Sequence, residues 1–189
     1  VGQNYWWNCG PAAAATLCNY FYGYDIRCGE ITDSLINNCQ GDYKKGFSLL
    51  DIADFFKWKD IEVQGFNLNI DDLINYFRQG GLPLIIHLNF PKKHFAVGVG
   101  YMGGELLLAD PSTGLNLISV NYLVEEKKFK GTVLIPVPDK LSQITAGERQ
   151  EELIVKYFKR KCLLKTLIKW KLRCIILKKY SGKDILHIS

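Results

Sequence analysis

The sequence predicts an α+β domain in which helices from the first half of the chain pack on an antiparallel sheet from the second half. Apolar residues recur at helical spacing as far as Arg78, and from Leu82 onwards they form short runs between glycine- and proline-containing turns. Helices followed by strands are typical of this fold class. Of the 189 residues, 48% are hydrophobic and 13% aromatic, which is enough for one packed core and excludes a chain that is disordered throughout.

Four helices are predicted in the first half. The first begins at Cys9, because Asn8 is a suitable N-cap residue, Pro11 is tolerated in the first turn and four alanines follow. The fourth ends at the glycine pair 80–81. The predicted helices are Cys9–Tyr22, Glu30–Asn38, Ser48–Lys57 and Asp71–Arg78.

Five strands are predicted in the second half, and the short connections between them favour antiparallel pairing. Gly103-Gly104 and the segment Pro111–Gly114 are turn sequences of the kind that join hairpins. The predicted strands are Leu82–Leu88, Phe95–Tyr101, Glu105–Ala109, Leu115–Val120 and Thr132–Val137.

Charge and composition divide the chain into a core domain over 1–138, a polar linker over 139–149 and a basic helical tail over 150–189. The whole chain has a net charge of +5, but the tail alone carries +8, so the first 149 residues are net negative. The basic character therefore belongs to the tail, and nucleic acid is not expected as a partner.

The tail has apolar residues at helical spacing among its lysines, which predicts one long or two shorter amphipathic helices. One interpretation is that it binds an anionic membrane surface or an acidic partner. The other is that the helix packs on the domain and leaves its lysines in solvent. The apolar positions are Leu153, Tyr157, Leu164, Leu167, Ile168, Leu172, Ile175 and Ile176.

No segment predicts a membrane span, because the longest stretch without a charge, Val1–Tyr24, contains several polar residues. A chain that starts at Val1 is consistent with a removed export signal.

Six cysteines without a Cys-x-x-Cys pair disfavour a zinc site, and no metal or organic cofactor is expected. Cys28 with Cys39 is the one pair that we would test as a disulfide.

Cys9 is the candidate nucleophile. At the first turn of a helix, unpaired N–H groups and the helix dipole stabilise a thiolate relative to a thiol. The alternative is that Cys9 is one of six small apolar residues in a core. The residues predicted to lie near it favour the first interpretation.

His94 is the candidate base, since it begins a strand from which its ring can be aimed at the helix N-terminus. Asp110 ends the next strand, and the hairpin at 103–104 should bring it beside His94, where it can accept a hydrogen bond and fix the ring. The alternative role of Asp110 is to stabilise its own turn before Pro111. His87 lies within an apolar run and is predicted to be a core or sheet histidine, whereas His187 at the chain end is a bystander.

Gln3 is the candidate oxyanion ligand. It lies six residues before Cys9, and Trp6 and Trp7 between them can anchor the segment so that it folds back over the thiol. Its side-chain amide and the backbone N–H of Cys9 could then bind an oxyanion.

Together these residues resemble the bacteriocin-processing, double-glycine-leader cysteine peptidases, which occur as N-terminal domains of bacteriocin ABC exporters and as stand-alone extracytoplasmic proteins. The resemblance runs through most of residues 2–137. Its elements are Gln3, Cys9-Gly10-x-Ala12, Gly46-Phe47-Ser48-Leu49-Leu50, Pro83, His94-Phe95-x-Val97 and Asp110-Pro111-x-x-Gly114.

The resemblance implies a papain-like fold in which Cys9 attacks a peptide carbonyl, His94 acts as base and then acid, Asp110 orients His94 and Gln3 stabilises the oxyanion. It also implies a narrow cleft for a Gly-Gly pair in a small secreted precursor. Asn8 stands where exporter members commonly have Asp, and the basic tail has no counterpart in the family pattern.

Two other functions use the same residues. One is a peptide-binding module of the same fold that does not cleave, and the other is an amide hydrolase or acyl transferase that uses the same triad. A peptide or protein substrate is expected as partner. The resemblance to stand-alone members with export signals favours the periplasm or cell surface over the cytoplasm.

Overall fold

The computed structural model describes residues 1–39 and 41–159 and divides the chain into two units, Val1–Ile154 and Val155–Ser189. The helices of the first unit are α1 (Cys9–Ala15), continued by the π-helical segment Thr16–Tyr22, α2 (Cys28–Asn38), α3 (Leu49–Trp58), α4 (Ile70–Arg78) and α5 (residues 140–154). The strands are β1 (Glu62–Asn67), β2 (Leu84–Leu88), β3 (His94–Met102), β4 (Glu105–Asp110), β5 (Gly114–Ser119) and β6 (Thr132–Val137). A 3₁₀ turn spans Tyr43–Lys45, and a second π-helical turn spans Tyr122–Glu126.

The four predicted helices of the first half are present. Ser48 caps α3 through a capping box with Asp51, and Asn69 caps α4 by accepting from the Asp72 N–H. The first helix is α-helical only as far as Ala15 before it widens. Asn8 precedes α1 as predicted, but its side chain does not cap the helix. It accepts instead from the Tyr5 N–H at 3.1 Å and so holds the turn before the helix.

The sheet has the order β1-β6-β2-β3-β4-β5, and every recorded pair is antiparallel. The five predicted strands are confirmed within one or two residues at most ends. The edge strand β1 was missed, because its sequence has no clear apolar alternation and most of its side chains are exposed. Its pairing with β6, from Glu62 opposite Val137 to Asn67 opposite Thr132, keeps it in the sheet.

Helix α1 lies against the sheet next to strand β3. All seven of its residues are buried, and its alanines allow close approach. At Gly10 a β-carbon would come within 2.8 Å of Ile52 and 3.5 Å of Phe95, so this position brings α1 close to both α3 and β3. The N-terminus of α1 is thus fixed beside the start of β3.

The polar segment 139–149 is not a linker, because residues 140–159 are helical and 140–154 belong to the first unit. Asp139 caps this helix by accepting from the N–H groups of Leu141 and Ser142. Gln150 is buried and donates to the carbonyls of Gly81 and Val99 at 2.9 and 2.6 Å. The composition was misleading because the buried face carries small or polar residues. The predictions for the tail concern residues that lie largely outside the described part of the chain.

Cys28 and Cys39 are free thiols, which corrects the suggested disulfide. Cys28 is the first of the 11 residues of α2, and Cys39 directly follows the last one, so the two cysteines lie at opposite ends of the helix. At 1.5 Å per residue their α-carbons are about 16 Å apart, far beyond the reach of a disulfide.

Candidate active site

Cys9 occupies the first turn of α1 with 5% of its surface exposed. The carbonyl of Asn8 accepts from the Ala12 N–H at 3.1 Å, which fixes the start of the helix. The early N–H groups of a helix have no partner within it, so a sulfur atom at this position lies in a favourable environment for negative charge. The predicted placement of Cys9 at a helix start is confirmed by the geometry.

His94 and Asp110 are hydrogen-bonded, with 2.9 Å between His94 Nε2 and Asp110 Oδ1. The register of β3 with β4 pairs Val97 with Ala109, and one further residue places Asp110 opposite Ala96. His94 is therefore the diagonal neighbour of Asp110 on the same face of the sheet, within reach of a long side chain. Asp110 also accepts from the backbone N–H and the hydroxyl of Ser112, so its turn-stabilising role and its contact with His94 coexist.

Cys9 lies close enough to the His94 ring to contribute to the raised pKa of that ring. Since Nε2 faces Asp110, the nitrogen left for the sulfur is Nδ1. The structure therefore places Cys9, His94 and Asp110 in one chain of neighbouring groups, with a hydrogen bond between His94 and Asp110. Such a chain can hold a thiolate next to an imidazolium and can move one proton to and from a bound substrate.

The electrostatics of this chain favour a charged His94. Burial lowers the pKa of His94, but the hydrogen bonds and negative charges of Asp110 and Cys9 outweigh it and raise the pKa to about 9. Burial raises the pKa of Asp110, but the hydrogen bonds from His94 and Ser112 and the charge of His94 lower it to about 2. Both shifts describe an imidazolium held against a carboxylate at neutral pH.

Gln3 lies beside the turn that carries Asp110. Its backbone N–H donates to the carbonyl of Pro111 at 2.9 Å, so the N-terminal segment is attached to the end of β4. The side-chain oxygen of Gln3 is buried and has no hydrogen-bond partner among the described residues. The structure thus attaches Gln3 to the turn that follows Asp110, whose carboxylate bonds to His94.

A groove of about 580 Å³ opens beside Cys9. Its described lining includes His87, which the sequence analysis placed in the sheet or core. His87 is half-buried and packs on Phe95 with 4.9 Å between ring centroids. Burial and the charges of Lys93 and His94 lower its pKa, so it is neutral at neutral pH. A predicted pairing of His87 with Phe95 could have indicated that both residues line the groove, because paired residues of neighbouring strands share a face of the sheet. The other lining residues are Trp6, Trp7, Lys45, Gly46, Phe47, Ser48, Leu49, Lys92 and Lys93.

Comparison with solved structures identifies the fold. The peptidase domain of Streptococcus ComA, a bifunctional ABC transporter involved in quorum sensing, aligns with a TM-score of 0.64 at 21% identity, covering 74% of this chain and 97% of that chain. A double-glycine-motif protease from an AMS/PCAT transporter, in complex with the leader peptide, aligns with a TM-score of 0.60 at 24% identity, covering 74% of this chain and 90% of that chain. The predicted papain-like α+β fold is confirmed. A search of curated proteins gave no match.

The family comparison agrees with the fold. The model of the Peptidase C39 family matches residues 1–140, which include α1, the whole sheet and all four predicted site residues. Within residues 1–39 and 41–159, no helix combines the length and the apolar character required to cross a membrane. The chain belongs to the Peptidase C39 family and is a cysteine peptidase.

Proposed function

We propose that this chain cleaves a peptide bond through a catalytic triad of Cys9, His94 and Asp110. The observation that carries the proposal is the 2.9 Å hydrogen bond between His94 and the Asp110 carboxylate, with Cys9 close enough to His94 to help raise the pKa of its ring. Each member has a neighbour of the required kind, and the groove next to Cys9 gives a peptide access to the sulfur.

The reaction follows from this arrangement. The Cys9 sulfur attacks the substrate carbonyl carbon, and the carbonyl oxygen becomes an oxyanion that the Cys9 N–H and the Gln3 amide stabilise. As the C–N bond breaks, His94 gives its proton to the leaving amine and an acyl-enzyme remains. Neutral His94 then takes a proton from water, which attacks the thioester and releases the acid and the Cys9 thiolate, so the imidazolium and the thiolate are restored. Asp110 holds the ring throughout and stabilises its charged form.

We further propose that cleavage follows a Gly-Gly pair in the leader of a small secreted precursor. The support is the family together with the solved double-glycine-motif protease, whose structure is a complex with the leader peptide. A peptide with glycine at both positions before the cut has no side chains to accommodate near the sulfur, which suits a nucleophile that is only 5% exposed.

A matched peptide panel tests the Gly-Gly proposal. Peptides that contain one Gly-Gly pair should be cut once, after the second glycine, when the products are identified by mass spectrometry. Replacement of either glycine by valine should reduce kcat/KM at least about tenfold, since the branched side chain must enter a narrow cleft. Equal cleavage of the valine peptides would contradict a Gly-Gly specificity while leaving the peptidase activity intact.

The extracytoplasmic location is a proposal that rests on the resemblance to stand-alone members of the family. Its direct test is fractionation of the producing cells, with the protein detected by an antibody and with a cytoplasmic enzyme as the marker of leakage. Recovery in the periplasmic or surface fraction without that marker is the expected result. Recovery with the cytoplasmic marker would contradict the proposal.

A further inference from the structure

The groove beside Cys9 has cationic side chains on two opposite chain segments. One segment is the turn Tyr43–Lys45, which ends in Lys45, and the other is the connection from β2 to β3, which carries Lys92 and Lys93. All three lysines are exposed and line the groove. None of the described lining residues is Asp or Glu.

The two tryptophans that precede Cys9 hold these segments in place. Trp7 packs edge-on against Tyr43 at 5.2 Å between ring centroids, which anchors the turn that carries Lys45. Trp6 lies beneath Lys92, whose ammonium is 5.2 Å from the ring centroid, so a cation–π contact positions this charge. The turn that carries Lys45 and the side chain of Lys92 thus contact the segment that leads to the nucleophile.

Nearby acidic groups have other partners. The Asp51 carboxylate accepts from the N–H and the hydroxyl of Ser48 at 2.7 Å each, and Asp110 accepts from His94 and Ser112. The positive charge of Lys93 acts on a residue that lines the groove, since it contributes to the lowered pKa of His87. The wall of half-buried His87 and buried Phe95 reduces access of water and strengthens such interactions.

We propose that the groove binds an acidic segment of the peptide substrate, with Lys45, Lys92 and Lys93 as specificity residues that contact Asp or Glu side chains close to the scissile bond. This inference rests on the proposed peptidase function and adds the charge class of the substrate. Charge complementarity of this kind raises both the rate of encounter and the discrimination between substrates.

The first test measures the local potential without any peptide. Iodoacetate and iodoacetamide alkylate a thiolate by the same displacement, in which an S–C bond forms and iodide leaves, but only iodoacetate is an anion. The rate ratio of iodoacetate to iodoacetamide at Cys9 is measured at low salt, with the modified site assigned by mass spectrometry. Each substitution Lys45→Gln, Lys92→Gln and Lys93→Gln should lower this ratio about two- to fivefold, the range of exposed charge pairs. Lys140→Gln, outside the groove, is the control and should leave it unchanged.

The second test uses peptides that differ only in one Asp or Asn at each of the three positions on either side of the cleavage site. At one or more positions the Asp peptide should have a kcat/KM several-fold higher than the Asn peptide, and the lysine substitutions should remove that preference. Equal cleavage of both peptides at every position, or an alkylation ratio unchanged by all three substitutions, would overturn the inference while the peptidase function stands.

A third measurement separates failure of the inference from failure of the proposed function. If no peptide is cleaved, the proposed function fails, and the affinity of the Cys9→Ala protein for fluorescent Asp and Asn peptides then decides the inference. Tighter binding of the Asp peptide, lost in the lysine variants, supports the inference. Equal affinities would overturn it.

Discussion

Replacement of Cys9 by alanine is expected to lower kcat/KM for peptide cleavage by at least about three orders of magnitude, because the acyl-enzyme can no longer form. Fold stability should change little, since the new side chain is only slightly smaller and α1 already contains a run of buried alanines. The measurement is the release of product from a Gly-Gly peptide, with thermal unfolding of the same preparation as the check on folding.

Cys18→Ala is the matched control for this substitution. Cys18 lies on the same helical stretch and is fully buried, and burial raises the pKa of its thiol to about 12, although the charge of Lys59 opposes this. It therefore remains a thiol at neutral pH, and its replacement should retain the cleavage activity.

Equal activity of the Cys9→Ala protein and the parent would refute the triad. A parent that binds Gly-Gly peptides but does not cut them would favour the non-cleaving peptide-binding module.

The second large effect is expected for Asp110→Asn, which should lower kcat by about 10²- to 10⁴-fold, because the imidazolium loses its anionic partner.

The same substitution should change the dependence of the free energy of unfolding on pH. His94 has a pKa of about 9 in the folded protein and 6.5 as its ordinary value, so the folded state holds the proton between these values and stability falls as pH rises through this range. Asp110 has a pKa of about 2 against an ordinary 3.8, so its contribution is lost as pH falls from 3.8 to about 2.

Urea unfolding of the parent at a series of pH values should therefore show a decline of about 1–3 kcal/mol between pH 6.5 and 9 that Asp110→Asn largely removes. Asp139→Asn is the matched control, since hydrogen bonds from Ser142 and Tyr24 also lower the pKa of Asp139 to about 2. It should retain the cleavage activity and the alkaline decline. An unchanged alkaline decline in the Asp110→Asn protein would show that the pair does not hold the proton on His94.

The site could be predicted from sequence where local rules determine position. A proline in the first turn and a run of alanines placed Cys9 at a helix start, and the hairpin at 103–104 brought His94 beside Asp110. The groove lysines were not singled out, because Lys45 and Lys92 come together only when two distant segments pack against the tryptophans. Tertiary pairing also determines β1, which has little strand signal of its own.

The helix over 140–154 is a second element that the local sequence did not predict. Its buried positions include Ser142, Ala146 and Gln150, which are small or polar residues. The burial of Gln150 is explained by the carbonyls of Gly81 and Val99, which accept from its side-chain amide. Asn8 is a further residue whose role differs from the prediction, because its side chain accepts from the Tyr5 N–H in the preceding turn instead of capping the helix. A long-range contact thus determines the position of Gln150, whereas Asn8 is held by a partner only three residues away.

The position of β6 in the sheet has a consequence for how the protein is made. This strand is the last one within residues 1–39 and 41–159, yet it lies between β1 and β2, so the sheet remains split until Val137 has been synthesised. A nascent chain that has released Cys9, His94 and Asp110 from the ribosome still lacks the strand that joins the two parts of the sheet. Because such late, long-range pairing is slow and cooperative, the reactive thiol should acquire its partners only near the completion of this domain.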